Sequence, residues 1–127
     1  MPYVSSTEAL NVNPVSLSAI SDGLGAGAWR KAVVGSDACR VVMLQLLPGE
    51  EPHPRHRHPR SDEVFIVLKG RGEFTIGDAP AVIAGPMTTL YAPANVFHRI
   101  RVLGSEPMQW LSVVAPNLDA PDEAVEE

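Results

Sequence analysis

The chain has 127 residues, 45% of them hydrophobic and 20% charged, which suits one folded domain and excludes an intrinsically disordered protein. Five of the 15 acidic residues lie in the last nine positions, so an acidic tail carries the net charge of −5, and the neutral remainder offers no electrostatic footprint for nucleic acid. The single cysteine, the lack of a long apolar run and the lack of a signal-peptide pattern predict a soluble cytoplasmic protein that does not enter membranes.

Short apolar runs rich in Val, Ile, Leu and Phe, each bounded by Gly or Pro, predict eight strands. In chain order they cover residues 28–34, 40–47, 63–69, 72–76, 81–84, 88–92, 97–103 and 108–115. Many brief strands with turns at regular spacing indicate an all-β fold, either a sandwich or a small barrel. The predicted domain organisation is an irregular, partly extended arm at 1–27, a β-domain at 28–116 and the acidic tail at 117–127.

Alternation along the predicted strands indicates which side chains face the interior, since residues two apart share a face. In the strand 97–103, two arginines alternate with His98 and its apolar neighbours, so His98 is predicted to point inward. The strand 63–69 is apolar on both faces after Glu63, which predicts that both faces are covered. Either the N-terminal arm or a second subunit could supply that cover, and we predict a homodimer.

Three of the four histidines, His53, His56 and His58, lie in one short segment that also leads to Glu63. In an extended segment His56 and His58 project from one side, close enough for both to bind one cation. Imidazole and carboxylate together are a common ligand set for first-row metals. Glu63 lies an odd number of residues after His58, so a turn beginning at Pro59 is needed to bring it to the same interior point.

A solvated surface loop is the alternative interpretation of this segment. Histidine pairs often lie on protein surfaces, and Arg55, Arg57 and Arg60 are interleaved with them. Two observations favour a metal site: the segment lies between predicted strands, and the remaining histidine, His98, is also predicted to face inward.

Two stretches resemble the motifs of the cupin family. Gly49-x6-His56-x-His58-x4-Glu63-x6-Gly70 resembles the first motif, usually written G-x5-H-x-H-x3,4-E-x6-G, and the segment from Pro93 to His98 is similar to the second, P-x-G-x-x-H. The resemblance spans roughly residues 29–116. It implies a small double-stranded β-helix, the jelly-roll barrel of cupins, with a metal ion bound inside it. Carried over by position, the implied ligands are His56, His58, Glu63 and His98.

The chain departs from the family pattern at turn and interior positions. The glycine that precedes the second-motif proline aligns with Met87, or with Gly85 if two residues are inserted. Asn95 replaces the next glycine, and asparagine tolerates the left-handed backbone conformation. Val102 stands where the family usually has asparagine. These departures affect loop details and leave the four implied ligands in place.

Other polar residues are candidates for the substrate pocket. Gln45, Thr89 and Tyr91 are predicted to contact substrate, because polar groups inside a small barrel need partners that a substrate can provide. His53, between two prolines and at an odd interval from His56, is predicted to lie at the rim of the site and not on the metal.

Four protein ligands leave two positions of an octahedral ion for substrate or water. The donor set favours Fe, Mn, Ni, Zn, Co or Cu over Mg and Ca, which prefer oxygen ligands. Such a site permits Lewis-acid polarisation, activation of water or activation of dioxygen. We therefore predict an enzyme acting on a small oxygenated organic molecule, with oxidation of the dioxygenase type favoured over isomerase, lyase or cyclase chemistry. The alternative is a cupin that binds a small ligand or metal without catalysis, as a sensor or carrier.

Overall fold

A computed structural model describes residues 14–51, 55–118 and 125–126, and this part of the chain is almost entirely β-structure. The elements are α1 (Leu17–Leu24), β1 (Trp29–Gly35), β2 (Arg40–Leu46), β3 (His56–Arg57), β4 (Asp62–Lys69), β5 (Arg71–Ile76), β6 (Val82–Ala84), β7 (Thr89–Ala92), β8 (His98–Leu103), β9 (Met108–Ala115) and β10 (Val125–Glu126). Each of the eight predicted strands is present, with ends that differ by at most one residue. The all-β prediction is confirmed. In the described residues, no helix has the length and apolar character needed to cross a bilayer.

The arm predicted to be irregular contains the helix α1, so that part of the prediction is wrong. Ser16 caps the helix, since its hydroxyl accepts a hydrogen bond from the Ala19 amide at 3.1 Å. Gly25 ends it with φ of 80°, donating its amide to the Ser21 carbonyl at 3.0 Å. Three closely spaced glycines in this region predict irregular chain, and a helix of only eight residues gives too short a pattern to be recognised beside them. Residues 1–13 of the arm lie outside the described residues.

The strands of the described chain form two five-stranded antiparallel sheets. One has the order β1-β2-β9-β4-β7 and the other β10-β3-β8-β5-β6. The short β10, near the end of the acidic tail, pairs with β3, with Glu126 opposite His56. This part of the tail is therefore paired with the second sheet. The division of the chain at residues 27 and 116 stays a prediction.

The inner faces of the two sheets enclose a core that fills one end of the barrel. Its largest fully buried side chains are Trp110, Phe65, Phe74 and Met108, and the Phe65 and Phe74 rings lie 5.6 Å apart. Burial of each such side chain contributes roughly 2–3 kcal/mol of hydrophobic free energy. The register places the row Leu44–Trp110–Val67 near the middle of the first sheet, and the row Arg40–Val114–Glu63 closer to its other end. That end carries the polar groups.

The outer face of the first sheet is also apolar. Val64, Ile66 and Leu68 of β4 are half-buried, whereas Glu63, Phe65 and Val67 are buried on the inner face. The helix α1 lies against one end of this outer face, where Ser21 accepts a hydrogen bond from Gln109 at 2.6 Å. The cover predicted for both faces of this strand is thus supplied in part by the N-terminal arm.

Candidate metal centre

Two short strands and a turn deliver the side chains of the first motif to the interior. His56 lies on β3, His58 follows it directly, and a turn at Pro59 and Arg60 leads into β4, where Glu63 points inward. The turn resets the facing of the chain, as predicted from the odd spacing between His58 and Glu63. His98 begins β8 and is the direct antiparallel partner of His56, so both imidazoles come from adjacent positions of the second sheet.

The loop of the second motif is tied to the first motif by hydrogen bonds. The Asn95 amide donates to the His58 carbonyl at 2.8 Å, and the Ala94 amide donates to Asp62 Oδ1 at 2.8 Å. Asn95 has φ of 69°, the left-handed conformation for which the family uses glycine, and Met87 likewise has φ of 68°. The departures from the pattern therefore keep the backbone geometry that glycine would adopt, and the loop holds His98 close to His58.

Four side chains converge to form what we call the His/Glu cluster: His56, His58, Glu63 and His98. One ligand atom from each lies within 4.8 Å of those of the other three. Glu63 Oε1 is 3.0 Å from His58 Nε2 and 3.3 Å from His98 Nε2. The His56 and His98 ring centroids are 4.5 Å apart, and Phe65 stands edge-on to His98 at 5.4 Å. The four predicted ligands are thus brought together at one point.

The cluster is buried, and its two neighbouring imidazoles keep the Glu63 carboxyl charged. The four residues expose between 2% and 9% of their surface. Burial by itself would raise the pKa of the Glu63 carboxyl, but the imidazoles of His58 and His98 outweigh it and hold that pKa well below its usual range. Glu63 is therefore a charged carboxylate at neutral pH, in contact with two imidazoles.

The donor atoms suit a metal ion better than they suit one another. The Nε2 atoms of His58 and His98 lie close to Glu63 Oε1, but the contacts lack hydrogen-bond geometry. Within the described residues, this buried oxygen therefore has no hydrogen-bond partner. A buried carboxylate oxygen without a partner is costly, and a cation among these atoms removes that cost. Three imidazoles and one carboxylate are a donor set for first-row transition metals and for zinc. The cluster can therefore hold a metal ion, whose identity the donor set leaves open among these metals.

The His/Glu cluster forms part of the wall of an open cavity of about 70 Å³. That volume holds several water molecules or part of a small ligand. Apart from the cluster, the wall is formed by Arg30, Arg40, Val42, Leu44, Phe65, Ile100, Trp110 and Ser112. An ion held by the cluster would thus be accessible to a small molecule in the cavity.

The residues predicted to contact substrate lie elsewhere in the described structure. Gln45 is on the outer face of β2, where its amide donates to the Gly25 and Gly27 carbonyls at 2.9 and 2.7 Å and accepts from Gln109 at 2.7 Å. Its polar atoms hold the connection between α1 and β1. Thr89 and Tyr91 are exposed on the outer face of β7. The prediction that these three bind substrate has no support from the cavity wall, and His53 lies outside the described residues.

Sequence reasoning missed four polar residues of the cavity wall: Arg30, Arg40, Trp110 and Ser112. Strand β2 is apolar on both faces between Val41 and Leu44, so alternation there does not distinguish the inner face from the outer. A usable signal existed in β9, where Trp110 and Ser112 share a face with Val114. A buried serine needs a hydrogen-bond partner, and a polar cavity can supply one.

The fold and the cluster define a class of protein, a small β-barrel with a buried site for a metal ion. Residues 42–114, more than half of the chain, match the Cupin_2 family, described as the cupin domain. The chain belongs to the cupin family. The resemblance noted from the two motifs is confirmed, and so is the double-stranded β-helix fold.

Known proteins similar to this chain differ in what their names say they do. Auxin-binding protein 1 of Arabidopsis thaliana is 29% identical over 89 residues, 64% of this chain and 44% of that protein, so the chain spans less than half of its length. A protein with a double-stranded β-helix domain from Klebsiella pneumoniae is 27% identical, with a TM-score of 0.63 over 71% of this chain and 77% of its own. A structure of the DMSP lyases RdDddP and RnDddQII is 26% identical, with a TM-score of 0.59 over 70% of this chain and 44% of its own.

Proposed function

We propose that the protein is a metal-dependent enzyme that acts on a small oxygenated organic molecule. The observation that carries this proposal is the buried convergence of His56, His58, Glu63 and His98 within 4.8 Å, in the wall of an open cavity. We assign these four residues as the metal ligands. A site built only to stabilise the fold would close its coordination sphere, whereas a catalytic site keeps access for substrate.

The protein's own contributions to this chemistry are position and exclusion of bulk water. The three imidazoles and the Glu63 carboxylate would hold an ion that supplies Lewis-acid or redox chemistry when bound. Phe65 and Ile100 form apolar walls that lower the local dielectric and strengthen every charge interaction in the cavity. Among the possible reactions we favour oxidation of the dioxygenase type, because neutral imidazole donors suit Fe(II); lyase chemistry is the nearest alternative, supported by the similarity to DMSP lyases.

Turnover of a metabolite panel tests this proposal. Protein loaded separately with Fe(II), Mn(II) and Zn(II) is incubated with small hydroxy, keto and unsaturated acids, with and without oxygen. We expect metal-dependent product formation by mass spectrometry, with oxygen uptake under Fe(II) if the reaction is an oxidation. Product without oxygen uptake would instead indicate lyase or isomerase chemistry. Saturable binding without any product in all arms would contradict the enzyme proposal.

The second candidate function is non-catalytic binding of a small ligand, as in a carrier or sensor. It is favoured by the similarity to auxin-binding protein 1, whose name states that it binds a small molecule. The same panel separates the two candidates, since a binding protein retains its ligand unchanged. The cytoplasmic location stays a prediction from the sequence.

We also propose that the protein is a homodimer in which the outer face of the first sheet is covered by a second copy. The half-buried apolar residues of this face include Val41, Val64, Ile66, Leu68, Leu111 and Val113. Light scattering coupled to size exclusion is expected to give twice the mass of one chain. Ile66→Lys should give the monomer mass, while Val82→Lys, on an exposed edge strand of the other sheet, should not. A monomer for the unaltered protein at micromolar concentration would contradict the proposal.

A further inference from the structure

The wall of the cavity is positively charged. Its basic residues are Arg30 and Arg40, and Glu63 is the one carboxylate among the described residues that line it. An ion bound at the His/Glu cluster would add further positive charge. The chain as a whole has a net charge of −5, so the cavity departs in sign from the rest of the protein. A cationic cavity with low-dielectric walls concentrates anions.

The two arginines differ in how they are held. Arg40 donates to Asn117 Oδ1 at 2.9 Å and to the Leu118 carbonyl, so the chain after β9 fixes its position. Arg30 lies on the edge strand β1 opposite Leu44, another residue of the cavity wall. Arg30 is exposed, and within the described residues its guanidinium has no hydrogen-bond or ion-pair partner. Arg40 therefore acts as a fixed charge, and Arg30 is the group able to pair with a ligand.

A second group in the cavity wall also lacks a partner. Trp110 exposes 1% of its surface, and its Nε1 is buried without a hydrogen-bond partner among the described residues. An indole nitrogen is a donor only, so it requires an acceptor that the described protein does not supply. The register aligns Arg30, Leu44 and Trp110 side by side on three adjacent strands. The unpaired indole donor and the unpaired guanidinium thus belong to one row of the inner face.

We propose that the cavity binds a small organic acid, whose carboxylate pairs with Arg30 and accepts a hydrogen bond from Trp110 Nε1. The apolar body of the acid lies against Val42, Leu44 and Ile100, which line the same cavity. A second oxygen of the acid faces the His/Glu cluster. This inference names the substrate class of the proposed function, and only the contact of the second oxygen rests on a bound metal.

Calorimetric titration of matched acids and amides tests the assignment. The probes are lactate, 2-hydroxyisovalerate and mandelate, each compared with its uncharged amide, on metal-free protein and on protein loaded with redox-inert Zn(II). At least one acid should bind about tenfold tighter than its amide, since pairing with a charged group is worth at least that factor. Arg30→Gln should remove this preference, so that each acid binds about as tightly as its amide. Lys31→Gln is the matched control, because the exposed Lys31 is adjacent on β1 and pairs with Met43 on the outer face.

The role of Trp110 has a separate readout. In a Trp29→Phe background, Trp110 is the remaining tryptophan of the chain, and its fluorescence should change on addition of the acid and not of the amide. Trp110→Phe should weaken acid binding by about threefold or more through loss of the N–H donor. An unchanged fluorescence with saturable acid binding would overturn the contact with Trp110.

Four outcomes would overturn the proposal as a whole: amides binding as tightly as acids, Arg30→Gln behaving as Lys31→Gln does, no saturable binding of any of the three acids, or inorganic phosphate binding as tightly as the best acid. Failure of the enzyme proposal is distinguishable from these results. It would appear as absent metal or absent turnover, while the preference for acids that depends on Arg30 would persist in the metal-free protein.

Discussion

Replacement of His58 by alanine is expected to abolish stoichiometric metal binding. The wild type should retain about one first-row metal ion per chain, and loss of one of four ligands should weaken its binding by at least about a hundredfold, more than the loss of an outer partner costs. Removal of His58 also leaves Glu63 Oε1 without one of its two close imidazoles. Elemental analysis of protein purified without a histidine tag measures the metal content directly.

The matched control for this experiment is His53→Ala, which removes the one histidine outside the His/Glu cluster. That variant should keep its metal, because His53 is predicted at the rim of the site. Circular dichroism of both variants establishes that each is folded before metal content is compared. Retention of one ion per chain by His58→Ala, or its loss from His53→Ala, would contradict the assignment of ligands.

Replacement of Gly70 by alanine is expected to destabilise the fold severely. Gly70 has φ of 69°, and an added Cβ would lie 2.4 Å from the Pro107 carbonyl oxygen and 2.9 Å from Met108 Cα, both backbone atoms that cannot turn aside. Left-handed strain and this overlap together should lower the free energy of unfolding by at least about 3 kcal/mol. Urea denaturation followed by fluorescence measures the change.

Gly49→Ala separates the two causes. Gly49 also has a positive φ, 83°, but its added Cβ would meet no heavy atom within 4 Å. It should therefore lose only the strain contribution, about 1–2 kcal/mol. Equal losses for the two variants would show that the overlap at Gly70 is relieved by a small backbone shift, and the prediction would be wrong.

The strands and the His/Glu cluster could be predicted from the sequence because both depend on local patterns. Each strand is bounded by glycine or proline, and the spacing from His56 to Glu63 identifies the first motif independently of the surrounding fold. The turn at Pro59 could be deduced because an odd spacing requires a reversal of facing. These features need no knowledge of which strands are neighbours.

The substrate-facing wall could not be deduced in this way. Which face of β2 points inward depends on its pairing with β1 and β9, and an apolar strand such as Val41–Leu44 gives no sign of it. The polarity of Gln45 predicts a pocket residue, yet its amide donates to backbone carbonyls on the outer face. Arg30 lies one strand further away, and only the register connects it with Trp110.

The His/Glu cluster draws its members from both sheets of the barrel. Glu63 belongs to the sheet that contains β4, whereas His56 and His98 belong to the sheet that contains β3 and β8. An ion bound by all of them would cross-link the two layers at the open end of the barrel. Metal binding would then raise the free energy of unfolding by holding the two sheets together. The stability of the protein would therefore depend on the metal supply of the cell.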